Sequence, residues 1–316
     1  MDLSIVIALY NEEESIPELL AWIERALSSQ KLHYEVILVD DGSTDTSWDV
    51  IKRESKLYNT VTAVRFSRNY GKSAALFTGF EAAKGSVVIT MDADLQDNPE
   101  EIPELYEMIV AKGYDLVSGW KRKRKDSKLT KNLPSKLYNR VARGVTGIKL
   151  HDMNCGLKAY KNEVVKNIEV YGEMHRYTPY LAKIAGYRNI GEKVVKHQAR
   201  KFGKSKFGMD RFVNGFLDLI TLWFLARFGK RPMHFFGTFG TLTFFVGFAT
   251  AAYLVADKLI SQANGLKFRQ VTDQPLFYIS LVALIIGMQL FLAGFVGELV
   301  SRNSSERNIY KIKERL

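Results

Sequence analysis

The chain has 316 residues, enough for one sizeable catalytic domain and a smaller appendage at roughly 100 to 200 residues per domain. Its 45 Lys and Arg against 34 Asp and Glu leave a net charge of +11, which points to an anionic partner: nucleic acid, anionic lipid or a phosphorylated substrate. A single cysteine, Cys155, excludes an internal disulfide framework and reads as a small buried apolar residue.

The N-terminus, MDLSIVIALYNEEES, is an apolar run of strand length. It lacks the basic start and small-residue cleavage site of a signal peptide, so the first part of the chain is expected to stay in the cytosol. Short β-branched runs at Leu3 to Leu9, Glu35 to Asp40, Val61 to Phe66, Val87 to Asp92 and Asp115 to Gly119 predict strands. Between them, Ser15 to Leu27, Thr46 to Leu57, Ser73 to Ala83 and Pro99 to Ala111 predict helices. This alternation predicts an α/β fold, a Rossmann-like and mostly parallel sheet with helices on both faces. Ligands of such sheets bind beyond the carboxyl ends of the strands, which is where the polar motifs fall.

Composition changes near residue 207. Residues 207–231 carry Phe212, Phe216, Leu219, Ile220, Trp223 and Phe224 between Arg211 and Arg227, as expected of an amphipathic helix lying in a membrane interface. Within 232–300, Met233 to Ala256 and Pro275 to Gly297 contain no Asp, Glu, Lys or Arg. At about 1.5 Å per residue each run is long enough for the ~30 Å hydrocarbon core of a bilayer.

Two spans return the chain to its starting side, and basic residues say which side that is. Arg200, Lys201, Lys204, Lys206, Arg211, Arg227, Lys230 and Arg231 precede the first span, and Arg302, Arg307, Lys311, Lys313 and Arg315 follow the second. The connecting loop has only Lys258, Lys267 and Arg269. The positive-inside rule therefore predicts a cytoplasmic domain at 1–206 and a cytoplasmic basic tail at 301–316. The basic excess lies beside the spans and no nucleic-acid motif appears, so nucleic acid is not the expected partner. Small residues at Gly237, Gly240, Ala293 and Gly297 permit close helix packing, including that of a homo-oligomer.

The sharpest chemical signal is MDADLQDNPE at residues 91–100. Asp92 and Asp94 alternate at the end of an apolar strand, so both carboxylates can leave the sheet edge on one side. Two close carboxylates repel unless a cation separates them, and hard oxygen donors suit Mg2+ or Mn2+ bridging a donor diphosphate. In VDDGSTD, residues 39–45, Asp40 and Asp41 end a strand before a glycine turn, where they can face a ribose or base. Simple turn chemistry is the other reading. Tyr10, Asn11 and Glu12 end the first strand at the same mouth.

Together, YNE, VDDGSTD, SRNYGKSAAL at residues 67–76 and DADLQDNPE resemble the family 2 glycosyltransferases of the GT-A fold. Within that family the chain is similar to the polyprenyl-phosphate mannose and glucose synthases, including the bacterial two-span enzymes. The likeness continues through HDMNCGLKAY at 151–160 to the paired spans.

The resemblance implies a nucleotide-sugar donor bound by Tyr10, Asn11, Glu12, Asp40, Asp41, Lys72 and Asp92. It implies a metal and diphosphate site at Asp92, Asp94 and Gln96, and Asp152 facing the reacting centre. It also implies a loop, RKFGKSK at 200–206, that closes over the donor through Arg200, Ser205 and Lys206 with Gly203 supplying flexibility. Asp94, Asp152 and Arg200 are the expected catalytic residues. The family often has an arginine after the fifth strand, where this chain reads GWKRKRK. Lys121, Arg122 and Arg124 are thus alternatives for the acceptor phosphate, a solvated or lipid-facing loop being the other reading.

The implied reaction is inverting transfer of one hexose, from a donor of the GDP-mannose or UDP-glucose type, to a polyprenyl phosphate at the cytoplasmic membrane face. A processive polysaccharide synthase shares the front half, but its Q-x-x-R-W motif has no counterpart in Gln198-Ala199-Arg200-Lys201-Phe202. A non-catalytic, membrane-tethered nucleotide-sugar-binding protein is the third reading, against which Asp92, Asp94 and Asp152 stand intact.

Overall fold

The computed structural model describes residues 1–122, 143–144, 146–202, 221, 224, 228, 232–267, 269–302 and 312–315. The expected interfacial helix falls almost wholly outside these residues, as do Arg124, Gly203, Lys204, Ser205 and Lys206.

The first unit is built on an eight-stranded sheet. Its strands are β1 (Leu3–Leu9), β2 (Tyr34–Asp40), β3 (Val61–Phe66), β4 (Val87–Asp92), β5 (Leu116–Trp120), β6 (Lys158–Lys161), β7 (Ile190–Val194) and β8 (Ile312–Arg315). They lie in the order β7-β5-β6-β4-β1-β2-β3-β8. β1, β2, β3 and β4 pair in parallel, as do β5 and β7, while β6 runs antiparallel between β4 and β5 and β8 runs antiparallel along β3. The expected mostly parallel α/β sheet is thus present, with two reversed strands.

β1 is buried at almost every position, as befits a central parallel strand covered on both faces. The helices that cover the sheet follow from apolar spacing. In α1 (Ile16–Leu27), Ile16, Leu19, Leu20, Ile23 and Leu27 form one stripe, Pro17 sits in the first turn where no N–H partner is needed, and Arg25 meets the C-terminal dipole. All five side chains are in the core, each contributing roughly 1.5–3 kcal/mol of burial. Leu19→Ala alone would cost about 2–5 kcal/mol.

α2 (Ser47–Leu57), α3 (Lys72–Ala82) and α4 (Ile102–Val110) follow β2, β3 and β4, so each connection returns the chain to the same sheet edge. After β6 come α5 (Asn162–Asn167) and α6 (Thr178–Ile184), with a 3-10 turn at Met174–Tyr177 between them. The tail read from sequence as a basic appendage supplies Ile312–Arg315 as the edge strand on β3.

The second unit contains α7 (Pro232–Ala263) and α8 (Pro275–Arg302), both long and apolar enough to cross a membrane. They run past the expected spans by several residues. Phe245, Phe248, Ile279, Ile285 and Phe295 face outward, whereas the glycines face the partner helix. A Cβ on Gly240 would stand 2.7 Å from the Gly287 carbonyl oxygen, and one on Gly287 would stand 2.6 Å from the Phe244 nitrogen. The small residues that could have served oligomer contacts, Gly237 and Gly240, therefore pack inside the chain's own helix pair.

Candidate active site

Asp92 is the last residue of β4 and its carboxylate is ion-paired with Lys72, the first residue of α3. Burial alone would raise the Asp92 pKa, but Lys72 and Lys121 hold it well below the usual carboxylate range. Asp94 has the opposite balance. Burial and the charge of Asp92 push it up to about 6, against the pull of Arg200. The Arg200 Nη2 donates to Asp94 Oδ2 at 2.6 Å, and its Nη1 lies 3.5 Å from Glu12 Oε1, so Arg200 links the YNE and DADLQD loops.

Leu95 holds this loop in shape with a φ of 60°, a conformation that costs a branched residue on the order of 1–3 kcal/mol and is found where function demands it. It turns the Gln96 amide back onto Asp94. With the amide turned so that both its ends are satisfied, the Gln96 nitrogen donates to Asp94 Oδ2 at 2.9 Å and its oxygen accepts from the Arg200 backbone N–H at 3.3 Å. Asp97, which sequence reasoning passed over, anchors the loop from below. It is 1% exposed, accepts from the Asp92 backbone N–H at 3.3 Å, and pairs with Lys121 Nζ at 2.7 Å. Burial pulls the Lys121 pKa down, but Asp97 more than reverses this and the ammonium stays charged. Lys121 thus faces Asp97, and Arg122 lies 5.8 Å over the Trp120 ring.

The VDDG turn is organised by its own carboxylates. Asp40, fully buried, accepts from the Ser43 N–H at 2.8 Å and lies 3.3 Å from Arg65 Nε. Asp41 accepts from the backbone N–H groups of Tyr70 at 2.7 Å and Gly71 at 2.9 Å, which fixes the turn leading to Lys72. Burial raises both, Asp41 to about 6. Gly42 permits the turn with a φ of 70°, where a Cβ would meet the Arg68 backbone at 2.3 Å. Across the crevice the Asn11 N–H donates to Ser43 Oγ, the Thr44 N–H to Asn11 Oδ1, and the Glu12 N–H to Ser47 Oγ. Asn11 and Glu12 are therefore tied to the turn after Asp40 and Asp41 and to the start of α2, and Glu12 through Arg200 to Asp94.

Asp152 is 2% exposed and is set by Glu192 of β7. Glu192 Oε1 accepts from the backbone N–H groups of His151 at 2.8 Å and Asp152 at 3.1 Å, and its Oε2 lies 2.7 Å from His151 Nδ1. The His151 ring stacks on Trp120 at 4.1 Å. Glu192 carried no sequence motif; Gly156 and Lys158 lay within HDMNCGLKAY without being singled out.

Among the described residues no three His, Cys, Asp or Glu side chains close around a metal ion. The donor set nevertheless fits one hard divalent cation. Asp92 and Asp94 are half-buried and close enough to perturb one another, and partial burial together with the Asp92 charge keeps the Asp94 pKa raised against the pull of Arg200. Such ions commonly take one or two carboxylates and complete their shell with water and substrate phosphate.

Residues 4–169 match the family described as Glycosyl transferase family 2. Over 304 residues the chain is 34% identical to dodecaprenyl-phosphate galacturonate synthase of Rhizobium johnstonii, covering 96% of this chain and 88% of that protein. It is 35% identical over 300 residues to undecaprenyl-phosphate 4-deoxy-4-formamido-L-arabinose transferase of Aeromonas hydrophila, covering 95% and 88%. Among solved structures, mannosyl-3-phosphoglycerate synthase from Rubrobacter xylanophilus matches with a TM-score of 0.59 at 14% identity, covering 72% of this chain and 75% of that one. Glucosyl-3-phosphoglycerate synthase from Mycobacterium tuberculosis, in complex with Mn2+, UDP-glucose and phosphoglyceric acid, matches with a TM-score of 0.53 at 19% identity, covering 71% and 79%. At those identities the structures speak for the GT-A fold alone. The sequence relatives say more, and the chain belongs to glycosyl transferase family 2, as an enzyme whose near full-length relatives are polyprenyl-phosphate sugar transferases.

Proposed function

We propose that the chain transfers a single sugar from a nucleoside diphosphate donor to a polyprenyl phosphate at the cytoplasmic face of a membrane. The observation that carries this reading is the half-buried pair Asp92 and Asp94 at the carboxyl edge of β4, matched by Lys72 and Arg200. Paired carboxylates with adjacent cations suit a diphosphate that must be gripped and then released.

Asp92, Asp94 and Gln96 would hold Mg2+ or Mn2+, which neutralises the charge that develops on the departing diphosphate. An acceptor phosphate oxygen attacks the anomeric carbon, the bond from that carbon to the donor β-phosphate oxygen breaks, and the nucleoside diphosphate leaves with the electron pair. A phosphate monoester, with a second pKa near ~6, is largely dianionic at neutral pH and needs no base. Asp152 therefore orients acceptor or sugar, held in place by Glu192. Arg200 follows the leaving group: in the free enzyme it holds Asp94 and Glu12, and with donor present it turns toward phosphate. Ser205 and Lys206 of the closing loop, and Arg122 or Arg124 at the acceptor, complete the proposed contacts. Lys121, paired with Asp97, acts on the acceptor only through that loop.

The two apolar helices hold the enzyme where a lipid phosphate is available, with the basic flanks on the cytoplasmic side. The test is a panel of radiolabelled donors, GDP-mannose, UDP-glucose and UDP-galacturonate, offered with undecaprenyl phosphate and Mg2+ or Mn2+. One labelled sugar extracted with the lipid is the expected result. Label in a long polymer, or none in lipid from any donor, would overturn the reading.

A further inference from the structure

Beside Asp92 lies a pocket walled by α3, β4, β6 and the Met174–Tyr177 turn, and its polar lining includes Lys72, Asp92, Asn154, Lys158, His175 and Arg176. The mechanism above uses Lys72 and Asp92 and leaves the rest idle. Lys158 is the unusual member. It is 3% exposed, and its ammonium makes one hydrogen bond, to the Cys155 carbonyl at 2.5 Å. No carboxylate is within ion-pair distance of it among the described residues. An ammonium has three donors, and a buried charge without a counter-ion is costly. Burial accordingly pulls the Lys158 pKa down to about 8.

Arg176 repeats the pattern. Its side chain is 8% exposed, and Nη2 meets Glu173 Oε2 at 2.8 Å. Its Nε is buried with no hydrogen-bond partner, and the buried Asn154 Oδ1 likewise has none. His175 adds no charge, since its Nδ1 lies 3.0 Å from Ser73 Oγ and burial holds the ring well below its ordinary pKa. Lys72 is paired with Asp92 and Arg176 with Glu173, whereas Lys158 is in no ion pair among the described residues, Asp152 and Asp92 acting on it only from beyond that distance. A single ammonium without a paired carboxylate suits a monoanionic carboxylate; a dianionic phosphate would bring two negative charges beside Asp92 and Asp152.

The pocket opens onto the Asp92 carboxylate, against which the Gly156 backbone is packed. A group reaching it while the diphosphate is held at Asp92 and Asp94 is one carried by the donor sugar. We infer that the pocket receives a sugar carboxylate, so that the preferred donor is a nucleoside diphosphate hexuronate, its acid group paired with Lys158 Nζ and hydrogen-bonded by Arg176 Nε. This rests on the proposed transferase reading for the position of the diphosphate. A neutral hydroxymethyl group leaves Lys158 unpaired, and sites whose buried polar groups go unmatched reject the analogue that lacks the partner.

The test compares donors that differ only in that group, UDP-galacturonate against UDP-galactose and GDP-mannuronate against GDP-mannose. Binding to the full-length protein is read by calorimetry with Mn2+, and transfer to undecaprenyl phosphate by kcat/KM. In at least one pair the acid is expected to bind and react at least about tenfold better, and Lys158→Met should bring that ratio toward one while Lys158→Arg keeps it. Equal or better use of the neutral sugar in both pairs by the unaltered protein overturns the inference and leaves the transferase reading standing. An unchanged ratio in folded Lys158→Met also overturns it. Selective binding of the acid without transfer of any sugar would support the pocket and defeat the transferase reading.

Discussion

The Cα of Gly156 lies so close to the Asp92 carboxylate that a Cβ built on it would stand 2.5 Å from Oδ2. The Gly156 carbonyl is itself fixed by Thr90 Oγ1 at 2.7 Å, so the backbone has little freedom to retreat. Gly156→Ala should displace the Asp92 side chain from Lys72 and lower kcat/KM by roughly 100-fold, the cost of about 1 Å of misplacement. Steady-state kinetics beside a melting curve checks this. A well-folded Gly156→Ala with unaltered kinetics would mean that the Asp92 position is unimportant.

Arg200 joins Asp94 to Glu12 and opposes the two influences, burial and Asp92, that raise the Asp94 pKa. In Arg200→Ala that pKa rises further above about 6. As a proposed cation ligand Asp94 has to be a carboxylate, so activity is expected to be lost below its pKa. The acid limb of the kcat/KM profile should therefore move to higher pH, on top of a loss of roughly 100- to 1,000-fold at the optimum. An unshifted limb would contradict the coupling.

Asp152→Asn separates orientation from proton transfer. The acceptor phosphate loses its dianionic form below ~6, so an acid limb persists whether or not residue 152 ionises. The variant should react more slowly with the limb in place. Abolished turnover at every pH in the folded variant would make Asp152 an obligatory base.

Asp41 gives a stability test. Burial raises its pKa from 3.8 to about 6 despite the Tyr70 and Gly71 hydrogen bonds. Between these values the folded chain binds more protons than the unfolded one, so stability falls as pH rises through the window and is level above it. The contribution is on the order of 3 kcal/mol. Asp41→Asn should flatten part of the decline between about pH 4 and 6, measured as the thermal midpoint in detergent; an identical slope would contradict the assignment.

The first five strands lie within one residue of their sequence-read limits because each is an apolar run stopped by turn chemistry. β6 and β7 escaped notice for a physical reason. Lys158 and Lys161 flank β6, and Glu192 and Lys193 sit inside β7, so neither shows a clean apolar pattern. Their charges are answered by distant residues, Lys161 by Asp115, Lys193 by Glu101 and Glu104, and Glu192 by His151. The site divides the same way. Asp92, Asp94 and Gln96 were legible as a motif, whereas Asp97, Glu192 and Arg176 act through long-range packing that no local spacing announces. The Lys121 to Asp97 pair also reassigns a residue that its basic neighbours made look solvent-facing.

The most direct test of the central claim is transfer of radiolabelled sugar to undecaprenyl phosphate by Asp92→Ala/Asp94→Ala, with Mn2+ and the best donor of the panel. Loss of the two carboxylates proposed to hold the cation should lower kcat by about 1,000-fold or more while the protein remains folded. Label reaching the lipid at an undiminished rate would contradict the account.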